Sequence, residues 1–131
     1  MTQEDKELLL KDLCARLPYS IKVQYTYRVK DMVWKVLGIE YCRDIRLLCG
    51  ALTEITTIDK VKPYLRPMSS MTEEEKEEYE LLANHCIVTS VGFVYIESQT
   101  LIDWLNAHYF DYRGLIEKGL ALEASEGMYD V

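Results

Sequence analysis

Apolar and polar side chains alternate without a break from Ile21 to Val29, and this pattern restricts the fold more than any other. Because successive side chains of a β-strand point to opposite faces, the alternation predicts a strand with one face buried and one in water. A second segment rich in β-forming residues runs from Met32 to Ile39, and Lys30 and Asp31 lie between the two as a short turn. The sequence therefore predicts a β-hairpin, although Lys-Asp is a weaker turn signal than Asn-Gly.

Two segments have clear helical signals. Residues 4–16 place leucines at helical spacing, and Pro18 ends this helix because proline excludes the helical conformation for the residue before it. Thr72 followed by Glu75 fits a capping box, in which the hydroxyl accepts a backbone N–H and the carboxylate accepts another. A second helix is therefore predicted to begin there and to run to about Asn84.

A strand and a further helix are predicted in the C-terminal half. The segment from Ile87 to Ile96 is β-branched and apolar, with Gly92 as a bulge or a turn. Ser98 can cap a helix from about Gln99 to His108, and the segment from Asp111 to Gly114 ends it. The order of elements is therefore mixed, with helices and strands following one another.

The remaining segments give weaker signals. Residues 44–50 alternate enough for a third strand, but the same residues also allow a short helix. Residues 59–67 contain two prolines and are predicted to be irregular, held to the core by their apolar side chains. Leu115 to Leu122 forms a last apolar patch, and the tail from Ser125 is predicted to be loose.

Together these elements predict a single α+β domain over residues 1–131, with the last few residues flexible. A small antiparallel sheet of three to four strands is packed by the N-terminal helix and two later helices. The chain has 131 residues, of which 49% are hydrophobic, enough to form one core. The sequence contains no run of about 18 apolar residues, so no membrane span is predicted. The opening MTQEDKELLL lacks the features of a signal peptide. We therefore expect a cytoplasmic protein.

Charge and cysteine content exclude some function classes. A net charge of −7 argues against direct nucleic-acid binding, which requires a basic surface. The four scattered cysteines have no metal-binding spacing and are expected to be reduced thiols, so no metal site and no cofactor are predicted. The glutamate run at 73–80 is either a solvated helix start or a mimic of phosphate.

Four residues are candidates for binding a small ligand: Arg66, His108, Tyr112 and Arg113. Arginine can bind a phosphate through two hydrogen bonds, and tyrosines, of which there are ten, can stack on a planar ring. His108 with Asp111 could also serve acid–base chemistry, but no known catalytic motif accompanies them, and no catalytic residue is assigned. The alternative interpretation makes Asp111 a turn former, with Arg113 as its ion-pair partner.

Three blocks resemble small uncharacterised proteins encoded in gut bacteria, their prophages and phages. The blocks are Glu7–Tyr19, Lys62–Tyr79 and Trp104–Ala124, the last trailed by EGMY at Glu126–Tyr129. The resemblance implies a mobile-element context and a bacterial cytoplasm, and it carries over no activity and no functional residue.

Three hypotheses of function follow. The first is a non-enzymatic accessory protein that binds a host or phage protein through an aromatic-rich surface. The second is a protein that binds or sequesters a small, anionic, nucleotide-like signal, and the third is a small hydrolase. An exposed hairpin edge also allows a homodimer.

Overall fold

The structure is a computed structural model that describes residues 1–27, 32–41, 44–84, 86–89, 92–95 and 98–129. The elements are α1 (Gln3–Arg16), β1 (Lys22–Tyr25), β2 (Trp34–Glu40), β3 (Asp44–Cys49), β4 (Leu52–Thr57), β5 (Val61–Leu65), α2 (Glu73–Ala83), β6 (Cys86–Thr89), β7 (Gly92–Tyr95), α3 (Ser98–Ala107) and β8 (Leu122–Glu123). Short 3-10 turns cover Leu17–Tyr19, Ile58–Lys60 and Met68–Ser70. None of the described helices is long and apolar enough to cross a membrane.

Strands of the main sheet lie in the order β4-β3-β2-β1-β5-β8. All neighbours are antiparallel except β5 and β8, which are parallel. The predicted α+β class is confirmed, but the sheet has six strands and is mixed, whereas three to four antiparallel strands were predicted. Strands β6 and β7 form a separate two-stranded sheet.

The predicted hairpin is present, because β1 pairs with β2 and Val23 lies opposite Trp34. Strand β1 ends at Tyr25, earlier than the alternation predicted, and the expected turn at Lys30 and Asp31 lies outside the described residues. Residues 44–49 form strand β3, not a short helix.

Three strands were missed: β4, β5 and the two-residue β8, which lies at the end of the predicted apolar patch. The first, β4, has exposed apolar side chains, so its pattern did not indicate a buried face. The second, β5, lies where the two prolines predicted irregular structure, and that prediction is wrong. Thr26 donates its N–H to the Lys60 carbonyl, so these two residues form a hydrogen-bonded pair. Hydrogen-bonded and non-hydrogen-bonded pairs alternate along an antiparallel ladder, and Val23 and Pro63, three positions further on, therefore form a non-hydrogen-bonded pair. Pro63 therefore breaks no hydrogen bond between β1 and β5.

The hydrophobic core lies between α1 and one face of the sheet. Leu9 and Leu13 of α1 are fully buried, as are Trp34, Ile45 and Leu47 of the sheet. Both flanking helices begin as the sequence requires: Thr2 and Asp5 form a capping box at α1, and Thr72 and Glu75 form the predicted one at α2. The expected strand at 87–96 is the hairpin of β6 and β7, in which Thr89 lies opposite Gly92.

The chain after Ser125 is anchored at Tyr129, whereas the sequence predicted a loose tail. The Tyr129 hydroxyl donates to the Tyr64 carbonyl at 2.8 Å and accepts the Lys22 backbone N–H at 3.0 Å. Its ring stacks on Tyr109 at a centroid distance of 3.7 Å. The C-terminal segment thus connects β1 and β5 across their shared end.

Candidate functional site

Arg66 joins the end of β5 to the start of α2. Its guanidinium donates two hydrogen bonds to the Glu75 carboxylate, at 2.8 and 2.7 Å. Glu75 also accepts the backbone N–H of Thr72 at 3.0 Å. The hydrogen bonds from Arg66 lower the pKa of Glu75 from 4.5 to about 2, so this carboxylate is charged at neutral pH. Arg66 therefore already has a carboxylate partner within its own chain.

His108 lies in a stack of aromatic rings between α2 and the sheet. Its imidazole is 4.3 Å from the Trp104 ring, and the Phe110 ring is 5.7 Å from the same indole. The Arg66 guanidinium lies 4.3 Å from the Phe110 centroid, and Trp104 donates its Nε1–H to Glu78 of α2. Nδ1 of His108 is 2.9 Å from the Trp104 carbonyl oxygen, which fixes the orientation of the imidazole.

A second group of charges surrounds Asp12. The side chains of Asp12 and Arg16, one helical turn apart in α1, are both 0% exposed and form an ion pair with Nε to Oδ2 at 2.9 Å. Arg113 donates to the same carboxylate at 2.7 Å, and Arg16 also donates to the Phe110 carbonyl at 2.6 Å. One carboxylate thus faces two guanidiniums, and Nη1 of Arg16 has no hydrogen-bond partner among the described residues. We call Asp12, Arg16 and Arg113 the buried charge cluster.

Tyr112 and Asp111 have structural partners too. The Tyr112 hydroxyl donates to Asn106, and the Arg113 guanidinium lies 4.5 Å from its ring centroid. The two carboxylate oxygens of Asp111 accept the backbone N–H groups of Leu115 and Ile116, at 2.8 and 2.9 Å. Asp111 is therefore a turn former, as the structural interpretation predicted.

The interpretation of Arg113 as the partner of Asp111 is wrong, because Arg113 pairs with Asp12. Asp111 also does not orient His108, since both of its oxygens are engaged by backbone N–H groups. The geometry that an acid–base pair of His108 and Asp111 would need is thus not formed.

The four predicted ligand residues fall into two groups. Arg66 and His108 are together near the Phe110 ring, and Tyr112 and Arg113 are together at the buried charge cluster. Phe110 links the groups, because its ring contacts Arg66 and its carbonyl accepts from Arg16. The contacts of these two groups connect α1, the end of β5 and α2 to residues 108–113.

The sequence contained one signal for the buried charge cluster that was not used. Asp12 and Arg16 are four residues apart, a spacing that places them on one helix face. The buried Leu9 and Leu13 lie on the same face, so this spacing would have placed the pair inside rather than in water. The contact with Arg113, 101 residues away, had no sequence signal.

Apolar side chains are exposed on the face of the sheet opposite α1. This outer face is formed by Leu37, Arg46, Thr53 and Ile55, which with Glu54 line a shallow depression of about 420 Å³. Leu37 is 43% exposed and Ile55 is 59% exposed. Arg46 lies opposite Ile55 in the ladder and forms an exposed ion pair with Glu40. The outer face therefore combines accessible apolar surface with an oriented guanidinium.

The aromatic residues contribute little to this outer face. Tyr25, Tyr109 and Trp34 are buried, and among the described tyrosines Tyr27 and Tyr41 are the ones that are largely exposed. Tyr41 is 85% exposed and has φ of 53°, a left-handed conformation that costs a non-glycine residue about 1–2 kcal/mol. Most of the aromatic surface thus supports the fold.

Within the described residues, no group of three or more His, Cys, Asp or Glu side chains could hold a metal ion. The chain matches no family model, no curated protein and no solved structure in comparisons with each. The outer face and the two charged groups are therefore interpreted from their own geometry.

Proposed function

We propose that the protein is a non-enzymatic accessory protein of the mobile-element type, which acts by binding another protein through its outer face. The observation that carries this proposal is the exposure of Leu37 and Ile55 beside Arg46 on a sheet face that no described element covers. Exposed apolar side chains grouped around an arginine are typical of protein-binding surfaces. The resemblance to phage and gut-bacterial proteins supports a bacterial host as the source of the partner.

The chemistry of the outer face indicates what the partner presents. Arg46 holds its guanidinium over the sheet with Glu40 as its exposed partner, so a competing carboxylate can replace Glu40 at little cost. Leu37 and Ile55 would be covered by apolar side chains of the partner. We expect an apolar patch with an acidic residue near its centre.

The ion pairs of Arg66 and Arg113 argue against the alternative hypothesis of ligand binding. Each would have to leave a carboxylate at 2.7 Å to bind the phosphate of a nucleotide-like ligand. The hydrolase hypothesis lacks the His108–Asp111 contact that it requires. Protein binding is therefore the function that the geometry supports best.

A matched pair of substitutions tests the proposal. Leu37→Lys places a charge in the outer face, and Leu81→Lys places one on α2, where Leu81 is 47% exposed. In affinity capture from bacterial lysates, the wild type and Leu81→Lys should retain the same stoichiometric partner. Leu37→Lys should bind that partner about 30-fold more weakly, the effect of removing about 2 kcal/mol at an interface centre.

Two results would contradict the proposal. One is a partner that Leu37→Lys retains as well as the wild type does. The other is the absence of any stoichiometric partner from lysates of several bacterial hosts. Circular dichroism of both variants checks that the exposed substitutions leave the fold intact.

A further inference from the structure

Strand β4 is the edge of the main sheet and has a hydrogen-bonded neighbour on one side only among the described strands. A two-residue loop, Gly50 and Ala51, joins β3 to β4, and Cys49 lies opposite Leu52. Gly50 has φ of 60°, as the first loop position of a type II′ turn requires. In such hairpins the pair that flanks the loop is hydrogen-bonded, which fixes the pattern for the whole strand.

Alternation along β4 then determines which backbone groups are free. Leu52, Glu54 and Thr56 direct their N–H and C=O groups to β3, whereas Thr53 and Ile55 direct theirs away from it. The N–H of Thr57 is also directed away, and its C=O accepts the first bond of the 3-10 turn Ile58–Lys60. The strand contains no proline or lysine, the residues that usually protect a sheet edge. Free backbone groups at every second residue bind another β-strand.

We propose that two copies of this chain pair antiparallel along β4, with Ile55 opposite Ile55 of the second copy. In this register the two Ile55 residues exchange a pair of backbone hydrogen bonds. Thr53 of each copy faces Thr57 of the other, and the Thr57 N–H donates to the Thr53 carbonyl. Ile55 also meets an apolar, β-branched side chain, a favourable cross-strand pair. The segment is thus complementary to itself.

Neighbouring registers are less favourable for stated reasons. A shift by one residue places outward-directed groups opposite groups that already bond to β3. A register centred on Glu54 brings two carboxylates together at a non-hydrogen-bonded pair, where side chains are closest. A register centred on Thr56 pairs fewer residues of β4. Hydrogen-bond direction, the charge of Glu54 and the number of paired residues together favour the Ile55-centred register over these neighbours.

The pairing goes beyond the proposed docking function, because it uses the backbone edge and leaves Leu37 uncovered. It makes one continuous outer face from two copies, with Ile55 at its centre. Since one short strand edge is covered per copy, the dimer is expected to depend on protein concentration.

Light scattering after size-exclusion chromatography measures the association. The wild-type mass should rise with concentration from 15.3 kDa toward twice that value. Thr53→Pro removes an outward-directed N–H without removing a bond to β3 and should stay monomeric, whereas Leu37→Lys should dimerise like the wild type. A wild type that stays monomeric across the series would overturn the inference while leaving the docking function untouched.

Cysteine crosslinking tests the register and does not depend on the folding of the proline variant. Hydrogen-bonded antiparallel pairs have Cα atoms about 5.5 Å apart, within the range that a disulfide bridges. Ile55→Cys should therefore crosslink two copies under mild oxidation. Thr53→Cys should not, because the two Thr53 positions lie four residues apart along the strands, about 13 Å.

Leu81→Cys and the wild type are the controls. They measure crosslinking through the native cysteines and through an exposed cysteine introduced away from β4. If Ile55→Cys crosslinks no more than these two controls, the Ile55-centred pairing is wrong. If Thr53→Cys crosslinks as well as Ile55→Cys, the register is wrong.

Discussion

Replacing Asp12 with asparagine removes the negative charge that Arg16 and Arg113 share. The substitution keeps the shape of the side chain but turns one hydrogen-bond acceptor into a donor that faces the guanidinium N–H groups. Arg16 cannot reach water, because its side chain is 0% exposed, whereas Arg113 is 14% exposed. The penalty therefore comes mainly from Arg16.

Breaking a buried ion pair by neutralising one partner costs about 3–5 kcal/mol. With an unfolding entropy of about 2.1 cal/mol/K per residue, the 131 residues give about 0.28 kcal/mol/K. Asp12→Asn should then lower the Tm by about 11–18 °C. Thermal unfolding followed by circular dichroism measures the shift, and urea unfolding gives the free energy directly.

Glu7→Gln is the matched control, because Glu7 is an exposed carboxylate on the same helix. It should change stability by less than about 0.5 kcal/mol. The double variant Asp12→Leu/Arg16→Met replaces the pair with apolar side chains and should lose less stability than Asp12→Asn alone. A Tm loss below about 3 °C for Asp12→Asn, or a double variant at least as unstable, would refute the unpaired-charge explanation.

Two further substitutions test other contacts. Glu75→Gln breaks the ion pair with Arg66. The pKa of Glu75 is lower in the folded state than in the unfolded state, so the wild type should lose stability as the pH falls from 4.5 toward 2. The variant has no carboxylate at this position and should lack that part of the loss. Urea unfolding at several pH values measures this difference, and equal pH dependence of both proteins would contradict it. Tyr129→Phe leaves the Lys22 N–H and the Tyr64 carbonyl without the shared hydroxyl and should cost about 1–3 kcal/mol. Because burial raises the pKa of Tyr129, the wild type should also lose stability above pH 10 by more than the variant does, and parallel alkaline unfolding curves would contradict this.

Local patterns predicted the helices well. The capping residues of α2 and the leucines of α1 act within a few residues of each other, so their effect does not depend on the rest of the chain. For residues 44–50 the sequence left a strand and a short helix open, and β3 is the strand, in which Ile45 and Leu47 face the core. The sheet order depends on contacts between distant segments, which no local pattern specifies.

Strand β4 and the partners of the charged residues were not predictable in the same way. An edge strand with exposed Leu52 and Ile55 has no apolar periodicity that points inward. Arg66 and Arg113 are residues of the type that binds phosphate, and only the fold shows that they are already paired with Glu75 and Asp12. The sequence therefore identified four candidate side chains, but it could not show that they lie in two groups or that the charges of Arg66 and Arg113 are paired internally.

The distance along the chain between the members of the buried charge cluster affects how the protein folds during synthesis. Asp12 and Arg113 are 101 residues apart, and Arg16 is 94 residues from Phe110, whose carbonyl accepts its hydrogen bond. At about 5–20 residues per second, a ribosome needs roughly 5–20 s to add that length. Throughout that interval α1 and the hairpin of β1 and β2 lack the segment that carries Phe110 and Arg113. The apolar surface of the nascent chain therefore stays accessible to chaperones, and the core is completed late in synthesis.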